Sequence, residues 1–419
     1  MEGVKEKVRL QKYPAYKDSE VEWLGEIPEN WEVEKGKWLF NKEDRPTRIE
    51  DDVVTCFRDG EVTLRSNRRT DGFTNSIKEH GYQGIRKGDL VIHAMDAFAG
   101  AIGVSDSNGK STPVYSACTP RLQNDVDPSY YAYLLRNLAL TGFIESLAKG
   151  IRERSTDFRY KDFSELILPK PDFQEQTAIA SFLDEKCGKI DTAIEQKQKL
   201  IELLKERKQI IIQNAVTKGL DLNVKLKDSG VEWIGEIPEH WEVKKFKFLA
   251  NITTGGKNTE DKAENGKYPF YVRSQTPERI NGYSFDGEAI LTAGDGAGVG
   301  KVFHYVNEKF DFHQRVYRFS NFRNILGKLL FYYLKSNFAQ VALNGEAKST
   351  VDSLRLPLIQ NFSVTIPSSS EQSQIVEYIE RQSGKIEKAI ALQQRQIEKL
   401  KEYKSSLIDA AVTGKIKVS

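Results

Sequence analysis

The chain has 419 residues, with 62 Lys and Arg against 60 Asp and Glu, a formal net charge of +2. That length suffices for two large domains with their own cores, and the near balance of charge excludes a uniformly basic surface, so any nucleic-acid contact must come from local patches. Three cysteines, Cys56, Cys118 and Cys187, without C-x-x-C spacing, exclude a disulfide framework and a structural zinc site and fit a reducing cytoplasm.

The N-terminus carries Lys5, Lys7, Arg9 and Lys12 with no apolar run behind them, so it does not read as a secretory signal. Nothing along the chain approaches ~18 consecutive apolar residues, and no membrane contact is expected. Residues 18–40, DSEVEWLGEIPENWEVEKGKWLF, return as residues 228–250, DSGVEWIGEIPEHWEVKKFKFLA, identical at 16 of 23 positions and offset by 210. The first 11 residues have no counterpart before the second copy. All five tryptophans, Trp23, Trp31, Trp38, Trp233 and Trp241, fall in the two segments. Large rings with a polar N–H suit either a domain-anchoring core or a contact for a partner protein.

Residues 41–174 form a first variable region. A turn, a buried strand and an aspartate are read in Gly88-Asp-Leu-Val-Ile-His-Ala-Met-Asp96, an aromatic helix at 130–136, and a strand ending at Pro169. The loop at 58–73 gathers Arg65, Asn67, Arg68 and Arg69, and the loop at 150–159 adds Arg152, Arg154, Ser155, Thr156 and Arg159. These side-chain types reach base edges and phosphates, so they are the candidate DNA contacts of this region. A solvated basic loop is the plainer reading of either cluster taken alone.

From residue 175 a helix is expected to residue 220, opened by a capping-box pattern after a proline, Pro171-Asp172-x-x-Glu175. Leu183, Cys187, Ile190, Ile194, Lys197, Ile201, Leu204, Lys208, Ile211 and Ala215 step by four and three, a heptad seam. From 179 to 215 such a helix would span about 55 Å, a spacer by its dimensions.

After the second tryptophan segment, residues 251–370 repeat the layout with different loops: 120 residues replace 134. Gly287-Glu-Ala-Ile-Leu-Thr-Ala-Gly-Asp295 parallels the earlier turn, strand and aspartate, residues 330–335 the aromatic helix, and Lys348-Ser349-Thr350 the Arg154-Ser155-Thr156 trio. Candidate DNA contacts here are Arg273, Ser274, Gln275, Lys301, His313, Gln314, Arg315, Lys348 and Ser349. A second helix, 371–417, matches the first at an offset of 196 and opens with Pro367-Ser368-x-x-Glu371. Its seam is Ile379, Ser383, Ile386, Ile390, Gln393, Ile397, Leu400, Lys404, Leu407 and Ala411. Polar residues occupy the same two steps in both copies, Lys197/Gln393 and Lys208/Lys404, and polar residues in an apolar seam restrict register. The expected fold class is α+β: two globular domains of like fold, 12–174 and 224–370, each followed by a long helix, 175–220 and 371–417.

Catalytic equipment is not evident. Gly294-Asp-Gly-Ala-Gly-Val-Gly-Lys301 departs at two positions from the phosphate-binding G-x-x-x-x-G-K-[ST] pattern. Pro171-Asp172 and Asp184-Glu185-Lys186 imitate a nuclease constellation, but the second half sits on the heptad helix. The five histidines, His80, His93, His240, His304 and His313, form no metal-ligand grouping, and no G-x-S-x-G elbow occurs.

The duplicated KDS-x-VEW-[LI]-GEIPE-x-WEV segment, the Pro-x-x-x-EQ opening of each helix and the GKI steps at 188–190 and 384–386 resemble the specificity subunits of type I restriction-modification systems over roughly residues 12–417. The resemblance implies two target-recognition domains, each reading one half of an asymmetric bipartite double-stranded DNA site, and two helices packed as an antiparallel coiled coil with a pseudo-twofold relation. It implies a non-catalytic cytoplasmic chain whose partners do the chemistry: two methylation subunits using S-adenosylmethionine on adenine N6, and restriction subunits using ATP and Mg. No cofactor would sit on this chain. A coiled-coil scaffold with two protein- or glycan-binding domains is the alternative, and the near-neutral charge is its best support. A standalone endonuclease or methyltransferase has almost no support in the residues.

Overall fold

The computed structural model describes residues 11–68, 81–147, 157–221, 223–344 and 354–418. The chain divides into two compact units, residues 1–196 with 395–419, and residues 197–394. Both are α+β.

The first unit opens with a small antiparallel ribbon, β1 (Tyr16–Asp18) and β2 (Glu26–Pro28), followed by β3 (Glu32–Lys35) and the short helix α1 (Gly36–Leu39). Then come β4 (Phe40–Lys42), β5 (Val54–Cys56), β6 (Val62–Leu64), β7 (Gln83–Ile85), β8 (Leu90–His93), β9 (Ile102–Val104), β10 (Gly109–Ser111) and β11 (Tyr115–Pro120). Four of these form an antiparallel sheet in the order β4-β11-β8-β9, with Tyr115 opposite His93 and Cys118 opposite both Leu90 and Lys42. Helix α2 (Pro128–Leu140) follows, its first turn capped by the Asp127 carboxylate accepting the Ser129 N–H, with proline at the first position where no N–H is needed. The short α3 (Phe143–Leu147) and α4 (Tyr160–Glu165) and strand β12 (Ile167–Lys170), paired with β3, lead into the long helix α5 (Phe173–Lys218).

The second unit repeats the plan. Its ribbon is β13 (Leu226–Asp228) with β14 (Glu236–Pro238), and β15 (Glu242–Lys245) follows. Strands β16 (Asn251–Thr254), β17 (Tyr268–Tyr271), β18 (Glu278–Ile280), β19 (Phe285–Ala293), β20 (Phe303–Phe312) and β21 (Val316–Ser320) make one sheet in the order β16-β21-β19-β20-β17-β18. Its first four strands reproduce the β4-β11-β8-β9 order, and the β17-β18 hairpin, paired in parallel with β20, takes the place of the β5-β6 hairpin, whose Val62 makes a parallel bridge to Ser105 just past β9. Helix α6 (Gly327–Asn344), short helix α7 (Leu356–Asn361), strand β22 (Ser363–Ile366) on β15, and the long helix α8 (Ser369–Val412) complete it. Among the described residues no helix is long and apolar enough to cross a membrane.

Each core is built on one tryptophan of the repeated segment. Trp31 is buried in the first unit with Phe40, Tyr130, Tyr131, Phe163 and Leu183, closed by Leu407, Ala411 and Val412 from the end of α8. Trp241 takes the same place in the second, with Phe246, Tyr333, Phe338 and Ile379, closed by Ile212, Ala215 and Val216 from the end of α5. Burying rings of this size contributes on the order of 2–3 kcal/mol each. The anchoring reading of the tryptophan segment therefore accounts for Trp31 and Trp241.

Polarity is satisfied by a latch present in both copies. The Trp31 Nε1–H donates to Glu175 at 3.1 Å, and the Trp241 Nε1–H to Glu371 at 3.3 Å. The next residue ties the loop before α2 or α6. The Gln176 amide donates to the Asp125 and Pro171 carbonyls and accepts the Asp127 N–H, and Gln372 does the same with Asn324, Pro367 and Leu326. The paired Glu-Gln that opens each helix is thus a clamp between helix and domain.

The two caps differ from the shared pattern read in the sequence. At α8 the box is reciprocal: Ser368 N–H reaches Glu371 Oε2 at 3.1 Å and Glu371 N–H reaches Ser368 Oγ at 3.4 Å. At α5 the Glu175 N–H donates to Asp172 Oδ1 at 2.8 Å, but the Glu175 carboxylate is turned to Tyr13, Asn30 and Trp31. Buried donors without other partners outcompete a solvent-exposed N–H for that carboxylate.

The two long helices pair antiparallel. In the second unit Lys197 Nζ lies 3.2 Å from Gln393 Oε1 and Lys208 Nζ lies 2.5 Å from Glu387 Oε1, so advancing on α5 means retreating on α8. In the first unit Lys404 Nζ meets Asp191 at 2.7 Å. Position 197 is the equivalent of 393, 208 of 404 and 191 of 387 at the offset of 196, so the polar seam residues pair reciprocally.

Candidate nucleic-acid interface

In each unit the third strand of the shared sheet order, β8 or β19, ends in a turn whose aspartate is held by an arginine from elsewhere in the same domain. In the first unit β8 ends at His93, and Ala94-Met95-Asp96 leads into a turn closed by Gly100 at φ 92°. Arg58 Nη2 lies 2.8 Å from Asp96 Oδ1, and His93 Nδ1 lies 3.2 Å from the other oxygen. Burial lowers the His93 pKa, against the pull of Asp96, and its ring packs on Tyr115 at 4.5 Å. The Ala94 carbonyl accepts the Phe158 N–H at 2.9 Å. An open groove of 760 Å³ beside this turn is lined by Lys42, Met95, Arg159, Tyr160 and Lys161.

The second unit is built alike. β19 ends at Ala293, and Gly294, Asp295 and the turn Gly296–Gly298 follow. Arg273 Nη1 lies 3.0 Å from Asp295 Oδ1, and Arg315 Nε lies 3.7 Å from Oδ2. Gly294 donates to the Arg315 carbonyl at 2.7 Å and accepts the Leu354 N–H at 2.8 Å, as Ala94 accepts that of Phe158. A Cβ at Gly298 would stand 2.6 Å from the Arg273 carbonyl, so the close approach requires glycine. The glycine-rich stretch that resembled a phosphate loop thus serves to bring the turn against the bend after β17 that carries Arg273. His313 is buried, its Nδ1 accepting the Arg315 N–H at 3.0 Å. Burial, then Arg273 nearby, lowers its pKa, which favours the neutral ring.

The structure brings together Arg273, His313 and Arg315 of the expected residues around Asp295. Lys301 is exposed and follows the same turn, its N–H on the Gly298 carbonyl at 3.0 Å. Gln314 donates to Asn258, and Gln275 is exposed. The Ser274 hydroxyl bonds the Thr276 carbonyl at 2.5 Å, and its own carbonyl accepts from His304 at 3.1 Å. In the first unit Arg159 lies in the groove with its Nη2 at 2.8 Å from Asp157. Arg65, Asn67 and Arg68 lie apart, on the turn after β6. Arg65 donates to Thr55 at 3.2 Å, Asn67 to Thr63 at 2.8 Å, and Arg68 covers the Phe57 ring at 4.2 Å while meeting Asp59 and Glu61. Arg69, Arg152, Arg154, Ser155, Thr156, Lys348 and Ser349 lie outside the described residues.

Three residues of the site lie outside the expected set: Arg58, at the head of the 58–73 loop, Lys161, which lines the groove, and Arg355. Arg355 is exposed and precedes α7 as Arg159 precedes α4. Carrying the helix offset of 196 back from Glu371 would have paired it with Arg159. A guanidinium steered by a carboxylate keeps free N–H donors in a fixed plane, the geometry suited to base edges and phosphates.

A family model described as "Type I restriction modification DNA specificity domain" matches residues 238–402. That stretch, 165 of the 419 residues, is similar to a type I specificity domain. The chain is 26% identical over 426 aligned residues to the type I restriction enzyme MjaVIII specificity subunit of Methanocaldococcus jannaschii, covering 94% of each. It is 28% identical over 182 residues to the EcoDI specificity subunit of Escherichia coli, a match that spans 43% of this chain and only 40% of that one. In fold it is similar to a chain solved in work on complex assembly and conformational transition of the type I R-M system, with TM-score 0.70, 14% identity and coverage of 92% and 98%. It is also similar to the HsdS subunit from Thermoanaerobacter tengcongensis, with TM-score 0.56, 14% identity and coverage of 93% and 98%. The resemblance to specificity subunits, drawn first from the duplicated segments, extends to the fold outside the family-model match.

Proposed function

We propose that this chain is the DNA-specificity subunit of a type I restriction-modification complex, reading a bipartite asymmetric site on double-stranded DNA and positioning methylation and restriction subunits. The observation that carries this reading is the contrast within the duplication. Both units keep the same four-strand order, the same Trp–Glu latch and the same Arg–Asp turn, while the loops around the turn differ in length and residues. One scaffold carrying two different surfaces fits two different half-sites. Arg58, Arg159 and Lys161 would serve one half, and Arg273, Lys301, Arg315 and Arg355 the other, each as donors to base edges or phosphates.

The chain itself would be non-catalytic and act in the cytoplasm. S-adenosylmethionine, ATP and Mg would be held by the partners, two methylation subunits and the restriction subunits. A methyltransferase must take its target base out of the stack, and a separate subunit gripping the flanks would supply affinity and register for that step.

The test replaces residues 41–174 with the equivalent region of a relative and maps methylation by the reconstituted complex. One half of the recognised sequence should change and the other persist. If both halves stayed the same, the assignment of reading to these domains would be wrong.

A further inference from the structure

Arg58 and Asp96 reach each other from two separate hairpins, Arg58 from the turn between β5 and β6 and Asp96 from the turn between β8 and β9. Strand pairing fixes each turn to its own hairpin, but a side chain discriminates between ligands only as well as its backbone is held. A third element meets both turns. Arg136, on α2, donates from Nε to the Gly100 carbonyl at 3.3 Å and from Nη2 to the Arg58 carbonyl at 3.4 Å. A Cβ at Gly60 would stand 2.7 Å from Arg136 Nε, and one at Gly100 would stand 2.8 Å from the Arg58 carbonyl. Both glycines have φ 92°, so two bare backbone positions leave room for one guanidinium between the turns.

The same helix is tied to both long helices on either side of Arg136. The Tyr133 hydroxyl donates to Asp184 on α5 at 2.7 Å, and the Asn137 amide donates to Asp409 on α8 at 3.0 Å. Arg136 therefore references the turn that presents Arg58 to a helix seated on α5 and α8.

The side chain is placed for this bond and not for contact with a ligand. Arg136 is half-buried, whereas the Arg58 side chain is 67% exposed. Burial lowers the Arg136 pKa, against the pull of Asp59 and Tyr133. Taking a guanidinium out of water is unfavourable unless its donors are met, and here two backbone carbonyls meet them. An apolar side chain would fill the same space at lower cost, so what the arginine adds is the fixed spacing of the two carbonyls.

The second unit holds its turn in another way. Lys335 closes the aromatic stretch of α6 as Arg136 closes that of α2, yet it is exposed, with Nζ 5.6 Å from the Phe331 ring. The backbone beside Arg273 is met from β20 instead, where His304 Nε2 lies 3.1 Å from the Ser274 carbonyl. Loss of the Arg136 tie should accordingly be felt in one half-site.

We propose that Arg136 is a positioning residue for recognition by the first unit: it holds the Arg58 and Gly100 carbonyls at a fixed spacing from α2 and so aims the Arg58 side chain at its half of the DNA site. This rests on the reading of the chain as a DNA-specificity subunit.

The experiment uses the full chain in the reconstituted methylation complex. The kcat and KM of methyl transfer are measured on a duplex bearing the recognised site and on duplexes with single-base changes in either half. Arg136→Met keeps the length of the side chain and removes its donors, while Arg136→Lys keeps the charge and one donor group. Arg136→Met should raise KM on the recognised site about tenfold and lower discrimination about tenfold in the half that Arg58→Ala alters, the scale of one well-placed contact to a base edge. Discrimination in the other half should stay as it was, and Arg136→Lys should restore part of the loss. The effect should fall on KM rather than kcat, because the chemistry belongs to the partners. Unchanged discrimination in both halves would overturn the proposal whatever the thermal midpoint does, since a structural role alone lowers the midpoint and leaves the preference intact. So would an equal loss in both halves, which marks a general weakening of the fold or the assembly. Should Arg136→Met not fold, Arg136→Lys carries the test: a smaller loss confined to the same half supports the proposal, and none overturns it. An unaltered chain that gives the complex no sequence preference would instead overturn the functional reading beneath it.

Discussion

The Nε1–H of Trp31 donates to Glu175 Oε2 at 3.1 Å, and the other oxygen of the same carboxylate accepts the Tyr13 hydroxyl at 2.5 Å. Burial, reinforced by that bond to Glu175, drives the Tyr13 hydroxyl far above its ordinary pKa. Glu175→Ala therefore strands two buried donors, each costing about 1–3 kcal/mol, and should destabilise the chain by roughly 2–4 kcal/mol. Glu371→Ala should cost less, roughly 1 kcal/mol, because the Glu371 carboxylate and its His240 partner are reached by water. Denaturant titration of the two variants measures the difference, and equal losses would contradict the asymmetry.

Acid sensitivity follows from the second latch. Burial pushes the Glu371 carboxyl upward, but hydrogen bonds from Ser368, His240 and Trp241 outweigh it and hold the pKa at about 2, below the usual 4.5. A carboxylate depressed in the fold stabilises it fully above the unfolded pKa and loses that contribution as pH falls through the folded one. The window runs from about 4.5 down to about 2. Thermal midpoints of the unaltered chain and Glu371→Gln should differ most above pH 5 and converge toward pH 2. A constant gap across that range would count against the assignment.

Much of this was legible in the residues. The α+β class, the repeat and the heptad seam were readable because periodicity and duplication survive in a single sequence. Hidden from it was pairing between distant segments: that Glu175 leaves its cap for Tyr13 and Trp31, or that Arg58 and Arg273 converge on Asp96 and Asp295. Sequence spacing marks local capping well, but a side chain with two possible partners goes where burial makes the unpaired donor costlier. The basic loops were read as clusters, and the structure separated them. Arg68 is held by carboxylates and a ring, while Arg159 lines an open groove.

Glycines at the ends of the long helices face the tryptophans. Gly414 has φ +75°, and a Cβ there would stand 2.4 Å from Pro28 Cδ and 3.1 Å from Trp31. Gly219 has φ +77°, with Trp241 at 3.1 Å. Gly414→Ala pays both backbone strain, about 1 kcal/mol, and a clash with a rigid ring that sits over a buried tryptophan. Gly219→Ala meets only the tryptophan edge. Both should lower the thermal midpoint, Gly414→Ala by clearly more. A larger shift at Gly219 would show that the α8 terminus yields more easily than its packing implies.

Lys197 and Gln393 occupy equivalent positions of the two seams and meet each other at 3.2 Å. Leucine at both should stabilise the pair by about 1 kcal/mol or more, since polar residues in a seam give up burial for register. The same change should loosen alignment, seen as faster amide exchange along the middle of α5 and α8. A lower midpoint in the double variant would mean that the polar contact itself contributes net stability.

Arg273 and Arg58 offer the sharpest separation of the two reading surfaces. On the proposed function each addresses one half-site, with Asp295 and Asp96 as positioning residues that aim the guanidinium. Arg273→Ala should relax or weaken recognition in one half only, by about 1–3 kcal/mol if the side chain meets a base edge. Arg58→Ala should do so in the other half. A phosphate contact gives a different signature: affinity falls across all sequences, and the slope of log K against log salt flattens by about 0.9. Asp295→Asn keeps the shape of the partner but removes its charge, so it should shift sequence preference in the same half as Arg273→Ala while leaving the fold intact. Methylation mapping with each variant in the reconstituted complex reads all three outcomes. If Arg273→Ala and Arg58→Ala altered the same half, the two turns would not belong to separate readers.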